Sequence, residues 1–205
     1  MRRLSLNLSL ILFFLAEWGP NVAADDTRMG QSDVMVPTDR IECSLHRSPL
    51  EPSDPSSTSA IPHVEKFVAR EHFKEDVSSA TDVKMSWLGA TFMRRFMATV
   101  EEDGGFASFQ TYVLSRLSSD KEIILQLGQG HESTLVDVWC LLRRQASGDA
   151  GALQTNSAPN IFFVRDTAGE VGVVDVVWGG VGWEIGASPV GDKRRWLPGT
   201  RAFSR

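Results

Sequence analysis

The chain changes hydrophobic period several times, and each change marks an element. An apolar run from Leu4 to Ala16 follows Met1-Arg2-Arg3 and ends before Pro20. It is too short for a spanning helix, which needs about 20 apolar residues. With Val22-Ala23-Ala24 ahead of Asp25-Asp26, residues 1–24 have the layout of a secretory signal peptide cleaved after Ala24. No cysteine lies near that junction, which argues against a lipid-anchored lipoprotein. Residues 25–62 carry no period. Pro37, Pro49, Pro52, Pro55 and Pro62 punctuate them, and 52–59 read Pro-Ser-Asp-Pro-Ser-Ser-Thr-Ser. So little apolar surface cannot offset the entropy of ordering the chain, so the expectation is a disordered tether.

From His63 the apolar pattern returns, with Val64, Phe67, Val68 and Val77 on one side of an interrupted helix. Leu88, Phe92, Phe96 and Val100 then recur at every fourth position, widened by Met93 and Met97. That period predicts a long helix from a Ser86 cap to a Gly104-Gly105 stop. Glu101, Glu102 and Asp103 would weaken its last turn, where the helix dipole disfavours anions. A second helix follows Gly128-Gln129-Gly130-His131. Thr134 and Asp137 have capping-box spacing, Leu135, Val138, Trp139 and Leu142 form the apolar stripe, and the end falls near Gly148.

Strands are expected at Ser108–Leu117, Ile161–Val164, Val171–Trp178 and Trp183–Ala187, with a type I turn at Asp166–Gly169. Ile123-Ile124-Leu125 reads as a short strand, with a helical turn as the alternative. A two-residue turn at Gly179-Gly180 would set Asp175 opposite Glu184, and like charges so placed repel. A turn over Gly179–Gly182 pairs Trp178 with Trp183 and Val176 with Ile185 instead, and is preferred. The expected fold is α+β: one domain over residues 63–205, with two long helices packed on one face of a mainly antiparallel sheet.

Composition is 42% hydrophobic and 23% charged, ordinary for a globular domain. Removal of residues 1–24 takes Arg2, Arg3 and Glu17 with it and moves the formal net charge from −5 to −6. Such acidity disfavours nucleic acid as a partner. No second apolar stretch is long enough to leave a membrane span after cleavage. Two cysteines, Cys43 and Cys140, can pair but do not make a disulfide framework.

Trp87-Leu88-Gly89 with Phe92, Ser118 and Asp120 ahead of Ile123-Ile124, Leu127-Gly128, Asn160-Ile161-Phe162, Asp166 with Gly169, Gly182-Trp183 and Phe203-Ser204-Arg205 together resemble a family of small uncharacterised bacterial proteins. The resemblance covers roughly residues 84–205 and is spread over many positions, so it implies a shared fold rather than a shared chemistry. It implies a bacterial origin, with periplasm or medium as the destination, and brings no activity, substrate or cofactor.

Candidate chemistry is sparse. Cys140 lies in the second helix, and His131, about nine positions away, is on the order of 13 Å distant along an α-helix. The thiol therefore reads first as inert and buried, second as bonded to Cys43, and third as a nucleophile. His46, His63, His72 and His131 are too widely spaced for a metal site, and no cofactor is indicated. Gly128-Gln129-Gly130 resembles an anion-binding loop but reads first as a structural turn. Asp175 and Glu184 share the hairpin face opposite the tryptophans, which reads first as solvated.

The basic tail is the strongest binding candidate. Lys193, Arg194, Arg195, Arg201 and Arg205 surround Trp196 in an otherwise acidic chain. Arginines beside an indole suit an acidic protein or a small anionic ligand. The competing reading is a loop with Trp196 on the core, its arginines clasping the acidic stretch Glu101–Asp103.

The expectation is thus an exported, non-catalytic binding module acting through its C-terminal sheet and basic tail. The alternative is an extracytoplasmic hydrolase centred on Cys140 or the Asp175/Glu184 pair. Protein recovered from periplasm or medium should begin at or near Asp25 on N-terminal sequencing; intact Met1 on soluble cytoplasmic protein would overturn the export reading.

Overall fold

Apolar side chains on both faces of one sheet organise the chain. The computed structural model describes residues 34–43, 66–102, 107–191 and 193–205. In chain order these form β1 (Met35–Cys43), β2 (Lys66–Val68), α1 (Ala69–His72), β3 (Met85–Leu88), α2 (Ala90–Phe96), β4 (Val100–Glu102), β5 (Ala107–Leu114) and α3 (Asp120–Leu127). A 3₁₀ turn (Gly128–His131) leads to β6 (Glu132–Ser133), α4 (Leu135–Arg144), β7 (Asn160–Arg165), β8 (Val171–Trp178), β9 (Trp183–Pro189) and β10 (Arg201–Ser204).

Eight strands make a sheet in the order β1-β5-β10-β7-β8-β9-β3, with β6 also paired to β7; β2 and β4 form a separate ribbon. The sheet is mixed: β10 and β6 run parallel to β7, and β3 runs parallel to β9. Phe162, Val164, Val174, Val176, Trp183 and Ile185 join a core with Phe92 and Phe96 of α2 and Leu135, Val138, Trp139 and Leu142 of α4. Their neighbours Ile161, Phe163 and Val173 join a second core with Ile123 and Leu127 of α3 and with Trp196. A strand covered on both faces has no polar side, which is why β7 reads Ile-Phe-Phe-Val.

Two long helices on one face of a mainly antiparallel sheet are therefore not what forms. Among the described residues the helices are short, the longest running ten residues, and the sheet carries parallel pairs and is covered on both sides. The predicted helix over 86–104 is cut at both ends. Met85, Trp87 and Leu88 are drawn into a parallel ladder with Trp183, Glu184 and Ile185. Val100–Glu102 pair with β2, so the apolar period survives while only its middle is helical. Gly104 and Gly105 lie outside the described residues. The expected helix across Val64–Val77 is replaced by β2 and the four-residue α1.

Ile123-Ile124-Leu125 lies in a helix, not a strand. Ser119 and Glu122 form a complete capping box ahead of it, and Ile123 and Leu127 are buried while Leu125 is 80% exposed. That spacing belongs to a helix. The tether reading also needs correction, because residues 35–43 form an edge strand on β5. Gln126 holds the backbone of Met35 at one end of that strand, giving and receiving one hydrogen bond each. A Cys43–Cys140 disulfide holds the other end to α4. Residues 1–33, with the expected leader, and 44–62 lie outside the described residues.

The C-terminal hairpin has the longer-turn register. Trp178 pairs with Trp183, Val176 with Ile185 and Asp175 with Gly186, and the Gly179 N–H donates to the Gly182 carbonyl. Gly180 adopts a φ of 89° that a side chain would strain. Trp183 is fully buried, donates its indole N–H to the Gln145 carbonyl at 2.9 Å, and meets Trp178 edge-on at 5.3 Å.

Trp183→Ala should cost about 3–5 kcal/mol in denaturant melts, as expected for truncating a fully packed indole. The disulfide spans 97 residues, so Cys43→Ser with Cys140→Ser should lower unfolding free energy by about 2–5 kcal/mol. Little change in either melt would contradict the packing and the cross-link respectively.

Candidate functional site

The basic tail is built into the protein's own framework. Trp196 is buried and donates its indole N–H to the equally buried Asp120 at 2.7 Å. Its backbone exchanges two hydrogen bonds with Ser118. Asp120 also accepts from the Gly191 N–H, so one carboxylate at the start of α3 organises the whole connection. Arg194 pairs with Asp175 at 3.1 Å and lies over the Trp196 ring, 5.0 Å from its centroid. Arg195 pairs with Glu122 at 3.2 Å. Arg201 donates to the Ala152 carbonyl at 2.6 Å. Lys193 is exposed.

Arg205 forks onto Asp137 with contacts of 2.8 and 2.9 Å, while its N–H bonds the Gly130 carbonyl. The tail thus acts as a clasp through Asp175, Glu122 and Asp137; of the expected acidic partners, Asp103 lies outside the described residues. Glu101 has another duty: its carboxylate accepts from the N–H groups of Leu135 and Val136 at the start of α4. Burial pushes that carboxyl above its ordinary range, and the two N–H groups oppose the rise. The α4 amino terminus is therefore occupied from within. Gly130 is filled likewise, since a Cβ there would sit 2.4 Å from the Arg205 carbonyl oxygen. Gly128–His131 is a structural turn.

Cys140 carries no thiol, because its sulfur is bonded to Cys43. Among the described residues no group of three or more His, Cys, Asp or Glu is placed to hold a metal, and no helix is long and apolar enough to cross a membrane. His72 stacks on Phe67 at 4.3 Å, and burial lowers its pKa; His46 and His63 lie outside the described residues. A groove of about 640 Å³ runs between Arg40–Glu42 and the end of α4. Its arginines bind locally, Arg144 to the Glu42 carbonyl and Arg40 to the Ser108 hydroxyl.

A smaller cleft has a different character. It encloses about 180 Å³ and is lined by Trp87, Gly89, Ala90, Thr91, Asp175, Gly186, Ala187 and Arg194. Trp87 comes from β3 and is 50% exposed. Asp175 comes from β8, its side chain only 20% exposed, so the solvated reading fails for it. Burial raises its carboxyl above the ordinary range, with Arg194 opposing. Gly186 makes this possible: a Cβ there would lie 2.8 Å from an Asp175 carboxylate oxygen. The carboxylate lies across β9 in the space a side chain would take. Glu184 pairs with Val177, two rungs along from Asp175, and is exposed.

No family model, curated protein or solved structure matches the chain. The resemblance read from its residues therefore adds no chemistry, and the site stands on its geometry.

Of the expected site residues, the structure brings Arg194 to this cleft and sends Arg195, Trp196 and Arg201 to structural contacts. Trp87 escaped notice because the apolar period placed it at a helix start. The signal that could have found Asp175 was the glycine opposite it in the preferred register.

One linkage can be measured at the clasp. Glu122 accepts hydrogen bonds first from the Ser119 N–H, then from the Ser119 hydroxyl and Arg116, which lower its pKa from 4.5 to about 2. A depressed carboxyl stabilises the fold above its unfolded pKa and loses that contribution as pH falls through the folded one. Stability should therefore drop between pH 4.5 and about 2, and Glu122→Gln should flatten that limb in melts across the range. An unchanged acid limb in the variant would contradict the assignment.

Proposed function

We propose that this protein is an exported, non-catalytic binding module whose contact site is the cleft between β3 and the β8–β9 hairpin, completed by Arg194 from the basic tail. The observation that carries this reading is a half-exposed indole beside a largely buried carboxylate whose guanidinium partner stays open to solvent. A carboxylate held largely out of water is the informative feature of a protein surface, and here it lines one concavity with the exposed indole. Ligand sites combine an apolar wall with a few convergent polar groups in this way. The disulfide supports an oxidising compartment outside the cytoplasm, in agreement with the leader at residues 1–24.

Size bounds the ligand. Drug-sized ligands occupy about 300–1,000 Å³, so a cleft of about 180 Å³ takes one ring or one side chain of something larger. In the tail, where sequence led us to expect an acidic protein or small anion, Arg194 and Arg195 are already paired with Asp175 and Glu122, which offsets part of the charge such a partner would use. Of the hydrolase alternatives, Cys140 is bonded to Cys43 and Asp175 is held by Arg194.

Titrating ¹⁵N-labelled protein with a small-molecule extract of the bacterial envelope should shift the amide signals of Gly89, Gly186 and Ala187 and the Trp87 indole N–H. Trp87→Ala should abolish the shifts and move the melting midpoint by no more than a few degrees, since the ring is half in solvent. Shifts confined to other surfaces would reject the cleft as the contact site.

A further inference from the structure

We propose that the cleft binds a single neutral, hydroxylated ring, a saccharide unit seated against Trp87; the inference rests on the binding-site reading above and names its ligand class. Charge decides first. Asp175 and Arg194 are paired at 3.1 Å, and both line the cleft, so their formal charges cancel there. An anion attracted to Arg194 meets the Asp175 carboxylate, and a cation attracted to Asp175 must displace Arg194. A hydroxyl group does neither. It donates to a carboxylate and accepts from a guanidinium, so it can bridge the pair while leaving it intact.

Shape decides next. One wall is the Trp87 indole and the others are small: Gly89, Ala90, Gly186 and Ala187. An aromatic wall among small residues leaves room for a ring whose C–H groups pack on the π system. A Cβ on Gly89 would come within 2.8 Å of the Trp87 ring, and one on Gly186 would press on Asp175. Glycine at both positions therefore sets the indole and the carboxylate where they stand. Thr91 supplies a further hydroxyl at the margin. The same volume leaves one ring as the bound unit, so affinity should be weak for a monosaccharide and higher for a chain that extends past the cleft.

The test uses the processed chain, residues 25–205, labelled with ¹⁵N-tryptophan. It is titrated separately with glucose, galactose, mannose, N-acetylglucosamine and their β-linked dimers, with phosphate and glutarate, and with trimethylammonium. The expected result is a saturable shift of the Trp87 indole signal with at least one neutral sugar, weakened at least about tenfold by Trp87→Ala as read from the Gly186 amide of uniformly labelled protein. Gly186→Ala should abolish the response while the Trp183 signal, in the core behind it, keeps its position. Saturation by phosphate, glutarate or trimethylammonium without any response to sugars would overturn the ligand class and leave the cleft standing as a binding site. An unmoved Trp87 signal with every probe would overturn the saccharide proposal, and the extract titration above then decides the cleft itself.

Discussion

The register of the C-terminal hairpin is the constraint on which the rest depends. A four-residue turn pairs Trp178 with Trp183 and sends Val174, Val176 and Ile185 into the core beneath α2 and α4. A slip by one residue would reverse every side chain on the strand, because strands have a period of two. The same register sets Asp175 opposite Gly186 rather than opposite Glu184. One turn thus avoids a repulsive pair of carboxylates, buries the hydrophobic set and opens the space in which Asp175 lies. The two-residue turn would bury the same face, so the cleft is a by-product of the register that keeps the two carboxylates apart.

Around this hairpin the C-terminal segment works as a frame. Trp196 and Asp120 pin it to α3, Arg195 reaches the capping Glu122, and Arg205 reaches the capping Asp137. Two of these carboxylates already serve as the N3 partners of capping boxes, so each arginine reinforces a helix start that the local sequence encodes. Exposed ion pairs contribute little singly. Their value here lies in geometry: each draws the tail across a helix amino terminus, where a negative side chain is favoured anyway. The anion-accepting potential of the basic run is met within the fold, and only Arg194 lines the cleft.

The disulfide links β1 to α4, beside the contact of Arg144 with the Glu42 carbonyl. β1 is an edge strand with exposed side chains between its buried ends, and its proline-containing sequence is a poor strand former. Gln126 at one end and the bridge to α4 at the other hold it in place. An edge strand secured in this way suits an oxidising compartment.

Some of this was legible from local signals. The Thr134–Asp137 box, the hairpin turn and the apolar run of β7 are short-range features, and each formed as read because caps, turns and strand pairing act within a few residues. The Ser119–Glu122 box was equally local, and would have identified α3 had it outweighed the run of isoleucines. What the sequence by itself could not determine were contacts between distant segments. Leu88 and Val100 match a helical period, yet lie in strands because β9 and β2 supply the pairing, Leu88 with Ile185 and Val100 with Val68. Residues 35–43 read as a tether and became a strand once β5 and Cys140 were in place. The destinations of Arg194, Arg195 and Arg205 were likewise open, since a charge takes whichever partner the chain brings near. Local propensity settles elements when its signals are strong; tertiary pairing decides where they are weak or where two periods fit the same residues.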